Sequence, residues 1–158
     1  MPKAVPGRRL FVFGCYGLLL FGLAHALAVV KALAGPANDA EKAVVTTMQN
    51  HVEYFGPLKM TAWGAMQTLS TSYSILLIQS GVLSLLLLDA AIAAGRFLAL
   101  TIVNILFLLA ILVVSTLYQI LPPMVFAAAV AALFAASMFL QKGPHPEPDS
   151  PPRSGAAP

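Results

Sequence analysis

Charged residues are scarce in this sequence. Only 9% of its 158 residues are Asp, Glu, Lys or Arg, whereas 59% are hydrophobic; ordinary soluble domains carry about 25% charged residues. A soluble fold of this composition would lack the polar side chains needed to cover its surface. The shortage of charge therefore argues against a soluble domain. It predicts one compact unit for which lipid is the main solvent.

Cysteine and clustered basic residues are also missing. Cys15 is the single cysteine, so no disulfide can form within the chain and no cysteine-rich metal site is expected. The nine Lys and Arg residues are scattered, with no basic stripe or aromatic platform. The net charge of +3 therefore does not indicate nucleic-acid binding.

Proline and carboxylates are absent from four long apolar segments. The segments cover residues 10–30, 64–88, 97–120 and 124–140. At about 1.5 Å per residue, each fits a hydrocarbon core of about 30 Å. All 12 prolines lie outside them, as expected where each helix must satisfy its own backbone in lipid. The sequence predicts an all-α fold, a membrane-embedded four-helix bundle over residues 10–141.

The two flanking segments are predicted to be cytoplasmic. Residues 1–9 form the N-terminus, and residues 142–158, rich in Pro, Ser and Gly, are expected to be a disordered tail. Arg8-Arg9 and Ala24-His25-Ala26 together imitate a signal peptide with a cleavage site. The apolar stretch continues to Val30, however, which favours an uncleaved first span.

The distribution of Lys and Arg predicts the orientation. Six of these residues fall on one side of a four-span topology, and three fall on the other. The first group is Lys3, Arg8, Arg9, Arg96, Lys142 and Arg153, and the second is Lys31, Lys42 and Lys59. The bias favours a multi-pass protein of the bacterial inner membrane with both termini in the cytoplasm.

The first outside loop is predicted to contain an amphipathic helix. Asn38 followed by Glu41 resembles a capping box, and Gly56-Pro57 is a stop signal. Five apolar residues between them share one face at 100° per residue: Val44, Val45, Met48, Val52 and Phe55. We expect a helix over residues 38–55 that covers the bundle mouth or rests in the headgroups.

Polar side chains within the spans supply the candidate site, because such residues are costly in lipid. They form inward faces near the outer end, and the loop helix directs His51 toward them while Glu53 faces water. The predicted ligand-binding residues are His25, His51, Gln67, Thr71, Ser74, Ser115 and Tyr118. Alternatively, these groups only hydrogen-bond to one another and hold the helices together.

A second polar edge lies on the opposite side of the second span. It consists of Thr68, Ser72 and Gln79. This edge is expected to contact another helix, either of the same chain or of a second protomer.

The most distinctive stretch is Met48-Gln49-Asn50-His51, followed by Phe55-Gly56 and Trp63-Gly64. With His25 near the end of the first span, it resembles an uncharacterised family of small bacterial four-helix membrane proteins. The layout is also broadly similar to the DoxX group. The likeness covers about residues 20–85. Members of the family often have two adjacent histidines where this chain has His51-Val52. The resemblance implies the four-helix architecture but no activity.

These patterns favour a non-enzymatic membrane protein that binds a small or lipidic ligand or serves as an accessory subunit of a membrane complex. Its expected partners are the lipid bilayer, a lipidic ligand, and a homo-oligomer or larger complex; no cofactor or metal is expected. One alternative is a small oligomeric transporter or channel, although proton-driven transporters generally use a carboxylate within the membrane. The other is a haem or quinone redox protein, for which His25 and His51 would be the available ligands, with no carboxylate or cysteine nearby. No catalytic motif indicates an enzyme.

Overall fold

Four long helices dominate the computed structural model, which describes residues 5–141. Its elements are α1 (Arg8–Leu33), α2 (Asp39–Asn50), β1 (Val52–Phe55), β2 (Leu58–Thr61), α3 (Ala62–Ala93), α4 (Phe97–Leu117) and α5 (Leu121–Gln141). Helices α1, α3, α4 and α5 are long and apolar enough to cross a membrane. This confirms the prediction of an all-α chain with four helices of spanning length. The predicted tail, residues 142–158, lies outside the described residues, as do residues 1–4.

Three of the four long helices extend beyond the predicted apolar segments, whereas α4 ends three residues before residue 120. Hydropathy alone does not define where a helix begins and ends, because capping groups contribute. At the start of α3, the Thr61 Oγ1 accepts a hydrogen bond of 3.0 Å from the backbone N–H of Gly64. The α3 helix therefore begins at Ala62 and continues to Ala93, five residues past the predicted limit. Gly95 then adopts a positive φ of 66° in the turn to α4, a conformation that favours glycine.

The α5 helix also begins earlier than predicted. Its first residue is Leu121, so Pro122 and Pro123 lie in the first turn and not in the connection. Proline is tolerated there because the first backbone N–H groups of a helix have no partner within the helix. Since α4 ends at Leu117, the connection between the two helices is only residues 118–120.

The loop between α1 and α3 contains a shorter helix than predicted, followed by a β-hairpin. Asn38 caps α2 by accepting a hydrogen bond of 2.9 Å from the Glu41 N–H, as the capping pattern predicts. However, α2 ends at Asn50 and not at residue 55. Strand β1 pairs antiparallel with β2, with Val52 opposite Thr61. The two-residue turn between them needs a positive φ, which Gly56 supplies at 61°.

Polar contacts define the end of the molecule that we call the Arg8 end. Arg8 at the start of α1 forms an ion pair of 3.0 Å with Asp89 near the end of α3. Ser137 near the end of α5 donates a hydrogen bond of 2.9 Å to the Gly7 carbonyl. Gln141 Nε2 donates to Thr101 Oγ1 near the start of α4 at 3.1 Å. Sequential long helices are therefore antiparallel, and α2 with the β-hairpin lies at the opposite end, the hairpin end.

Helix α1 has more buried residues than any other of the four long helices. It packs extensively against both α3 and α5, and α4 packs mainly against α5, whereas the contact between α3 and α4 is small. The buried Phe11 ring of α1 meets Phe97 and Phe134 edge-to-face, with centroids 5.2 and 5.1 Å apart.

Candidate functional site

The residues of the predicted polar pocket are spread between the interior and the surface. Ser74 and Ser115 are buried, with 3% and 4% of their surfaces exposed. His25 and Gln67 are half-buried, whereas His51, Thr71 and Tyr118 are exposed. The structure therefore places four of the seven residues at least partly inside the bundle. It does not enclose all seven in one pocket.

His25 contacts an aromatic residue that the sequence did not single out. The imidazole lies edge-on to the Tyr73 ring of α3, with centroids 5.1 Å apart. Tyr73 in turn lies edge-on to Phe21, which stacks on Phe126 of α5 at 4.8 Å. His25 thus extends an aromatic row that joins α1, α3 and α5.

Two buried polar atoms of α3 lie in the same half of the helix. The Tyr73 hydroxyl and the Gln67 Nε2 have no hydrogen-bond partner among residues 5–141. Ser74, by contrast, donates to the Ser70 carbonyl of its own helix at 3.1 Å. The mutual satisfaction of polar groups expected here is therefore only partial.

His51 does not point into the bundle. Its Nε2 hydrogen-bonds to Glu53 Oε1 at 2.9 Å, and both side chains are at least half exposed. In one continuous helix over residues 38–55, as predicted, Glu53 would lie on nearly the opposite side from His51. In an extended chain, residues two apart lie on the same face, so the early end of α2 brings these side chains together. His25 and His51 have different partners, and the structure does not pair them.

The buried polar contact between α3 and α4 lies deeper in the bundle. Ser84 donates a hydrogen bond of 3.0 Å to Asn104 Oδ1, and Asn104 Nδ2 donates to the Leu100 carbonyl. Neither Ser84 nor Asn104 belongs to the predicted ligand-binding residues. At the Arg8 end, Gln141 bridges Thr101 and Ser137. Gln141 lay beyond the last predicted span and was missed for that reason.

An apolar cleft lies at the hairpin end of the described part of the chain. It measures about 580 Å³ and lies between α1, α2 and α3. Its wall consists of small side chains from α1, residues of the first part of α2, and two large side chains from α3. The lining residues are Ala28, Lys31, Ala32, Gly35, Pro36, Ala37, Ala40, Glu41, Val44, Val45, Trp63 and Met66.

The shape of the cleft follows from residue size. Ala28 and Ala32 are one helical turn apart on α1, so the helix presents a shallow strip there. Val44 and Val45 of α2 and Trp63 of α3 line the same cleft. Part of the expected apolar face of α2 lines the cleft. This face is only partly covered, since Val44 remains 59% exposed.

Two opposite charges belong to the cleft lining. Lys31 lies in the last turn of α1. Glu41 accepts a hydrogen bond of 2.7 Å from the Ala37 N–H through Oε2. Across residues 5–141 the Lys and Arg side chains form one ion pair, Arg8–Asp89, so neither Lys31 nor Glu41 is neutralised by a described partner.

No protein-family model, curated protein sequence or solved structure matches this chain. The resemblance to the small bacterial four-helix family therefore stays a prediction. Within the described ranges, no three His, Cys, Asp or Glu side chains are grouped closely enough to hold a metal ion. The cleft between α1, α2 and α3 is the feature best suited to hold a ligand.

Proposed function

We propose that this chain is a multi-pass integral protein of a bacterial inner membrane that binds a phospholipid at its outer surface. Embedding is supported by the exposed apolar side chains that all four long helices carry, including Leu20, Leu86, Val103 and Phe139. Trp63 lies 26 residues before Asp89 in α3, about 39 Å along the helix axis. Those two residues suit the opposite interfaces of a bilayer that is about 40–45 Å thick with its headgroups. The predicted bacterial family resemblance supports the type of membrane.

Both termini belong in the cytoplasm in this proposal. The Arg8 end carries Arg8, Arg9 and Arg96, and the hairpin end carries Lys31, Lys42 and Lys59. The remaining basic residues outside the described range, Lys3, Lys142 and Arg153, belong by sequence with the Arg8 end. An excess of Lys and Arg in short segments marks the cytoplasmic side.

Cysteine labelling tests this orientation in intact cells. Thr47→Cys on α2 is expected to react with a membrane-impermeant maleimide from outside, because Thr47 is exposed at the hairpin end. Ala94→Cys, in the exposed turn after α3, is expected to react only after permeabilisation. The unmodified chain is the control, since Cys15 is fully buried. Labelling of Ala94→Cys but not of Thr47→Cys in intact cells would show the opposite topology, with the Arg8 end outside the cell.

The cleft is the observation that supports lipid binding. Its volume of about 580 Å³ is within the range of about 300–1,000 Å³ that small-molecule pockets occupy. The apolar walls suit an acyl chain. The lining residues include one cationic residue, Lys31, and one anionic residue, Glu41. A phosphate and an ammonium on the same headgroup complement this pair, which favours a zwitterionic phospholipid such as phosphatidylethanolamine.

Native mass spectrometry tests the proposed ligand. The protein is extracted with a mild detergent from vesicles that contain equal amounts of phosphatidylethanolamine, phosphatidylcholine and phosphatidylglycerol. We expect one retained phospholipid per chain, with phosphatidylethanolamine enriched, because its compact ammonium donates hydrogen bonds to a carboxylate. Enrichment of phosphatidylglycerol would contradict the role of Glu41, and a chain free of lipid would contradict the proposal as a whole.

A further inference from the structure

The α3 helix exposes polar side chains along one face. Of the second polar edge predicted from the sequence, all three residues, Thr68, Ser72 and Gln79, are exposed in the structure. The sequence left open whether a helix of the same chain or of a second protomer covers this edge. Since no described helix buries it, the first alternative is removed for residues 5–141.

The exposed face has a regular spacing. Its residues follow one another at intervals of four and three along α3: Thr68, Ser72, Ile75, Gln79, Val82 and Leu86. All six are exposed, and Ile75 and Leu86 are exposed by 57% and 72%. We call these six residues the α3 seam. Alternation of four and three is the heptad spacing with which two parallel helices pack in a left-handed pair.

Gln79 lies at the middle of the seam and of the proposed membrane core. It precedes Asp89 by ten residues, about 15 Å along the helix axis. The midpoint between Trp63 and Asp89 is residue 76, so Gln79 lies within about 5 Å of the proposed midplane. An exposed carboxamide at this depth faces acyl chains, which cannot hydrogen-bond to it.

The other carboxamide side chains of the four long helices are less exposed than that of Gln79. Asn104 is buried, and Gln67 and Gln141 are half-buried. Among the carboxamides of the described long helices, Gln79 alone is exposed. The exposed carboxamide of Gln79 therefore distinguishes this face of α3 from the exposed apolar faces of the other long helices.

We propose that the α3 seam is the contact surface for a second copy of this chain. Two copies with the same topology place their α3 helices parallel, so a two-fold axis along the membrane normal brings each seam residue opposite its own counterpart. A carboxamide both donates and accepts hydrogen bonds, and Gln79 therefore complements Gln79 of the second copy. The proposal rests on the membrane embedding proposed above but not on lipid binding in the cleft.

Cysteine crosslinking of the full chain in phospholipid vesicles maps the contact. Ile75→Cys and Leu86→Cys lie on the seam, and oxidation is expected to give a disulfide-linked dimer for both. Val103→Cys on α4 is the matched control, since Val103 is equally exposed at 63% but lies on another helix. The unmodified chain controls for Cys15. Crosslinking that is equal at Val103 and at the seam would overturn the proposal.

Dilution of a fluorescently labelled chain in vesicles measures the strength of the contact by energy transfer. Gln79→Leu is expected to weaken dimerisation about tenfold, in line with an interhelical hydrogen bond in lipid, and Gln79→Asn is expected to keep most of the affinity. Leu106→Ala, on the exposed face of α4, is expected to change nothing.

Three other outcomes of the crosslinking and dilution experiments would contradict the proposal. Dimers that are unaffected by Gln79→Leu, or a monomer at every dilution, would exclude the seam as a self-contact, and recovery of a monomer in complex with a different membrane protein would assign the seam to that partner. The lipid-binding assay is independent of these results, because Ile75, Gln79 and Leu86 do not line the cleft.

Discussion

Gly22→Leu is expected to give the largest loss of stability of any single substitution considered for this chain. A Cβ atom at Gly22 would lie 2.6 Å from Ile78 Cγ1 and 3.0 Å from the Ile78 backbone nitrogen. A flexible side chain can move aside, but the backbone of α3 cannot do so without separating the two helices. Helices in membranes associate through such close approaches of small residues, because no hydrophobic force drives them together in lipid.

The expected size follows from overpacking. Extra carbon atoms in a packed core cost about 1–3 kcal/mol, and leucine adds four of them at a backbone contact, so we expect a loss of about 3 kcal/mol. At about 2–4 °C per kcal/mol, the Tm in mild detergent falls by roughly 6–12 °C.

Ala24→Leu is the matched control for this measurement. Ala24 is two residues away on the same helix and is exposed, so the same side chain there faces lipid or detergent. Its Tm is expected to stay within about 2 °C of the unmodified chain. Equal melting of the two variants would show that α1 and α3 do not pack as the structure has them.

Ala32→Trp is expected to abolish most lipid binding at the cleft. Ala32 is half-buried on α1 and lines the cavity opposite Val44 and Val45. An indole at this position occupies the volume that an acyl chain would take. We expect the apparent affinity for the phospholipid to fall at least about tenfold, or about 1.4 kcal/mol.

A charge substitution in the cleft provides a second test of lipid binding. Lys31→Glu removes the ammonium and leaves two carboxylates in the lining, so the phosphate of the lipid is repelled. The loss is expected to be largest at low ionic strength, because Lys31 is exposed and salt screens it. Ala129→Trp on the exposed face of α5 is the control for added bulk. If Ala32→Trp binds lipid as well as Ala129→Trp does, the cleft is not the binding site.

The four long helices could be predicted from the sequence because each is a continuous apolar run. Their ends could not, since caps such as Thr61 and first-turn prolines such as Pro122 leave no trace in hydropathy. The β-hairpin was missed for a different reason. Periodicity within residues 38–55 reports only local structure, whereas the pairing of Val52 with Thr61 depends on a segment outside that window.

The candidate site was harder to predict than the fold. A helical wheel shows which residues share a face but not which neighbour covers that face. Thr71 is exposed because it lies between the two polar faces of α3. Tyr118 is 73% exposed because α4 ends at Leu117, so the wheel no longer applies to it. The cleft itself depends on Ala28 and Ala32. Their small size does not predict a cavity unless the position of α2 is known.

The most direct test is the position at which a photoactivatable phospholipid attaches to the protein in vesicles. With a diazirine in the acyl chain, and with the adducts located by peptide mass spectrometry, we expect labelling to concentrate on Val45, Trp63 and Met66 in the cleft and to decline in Ala32→Trp. Labelling spread over the lipid-facing residues of α4, such as Leu106 and Val113, with none in the cleft would contradict specific lipid binding.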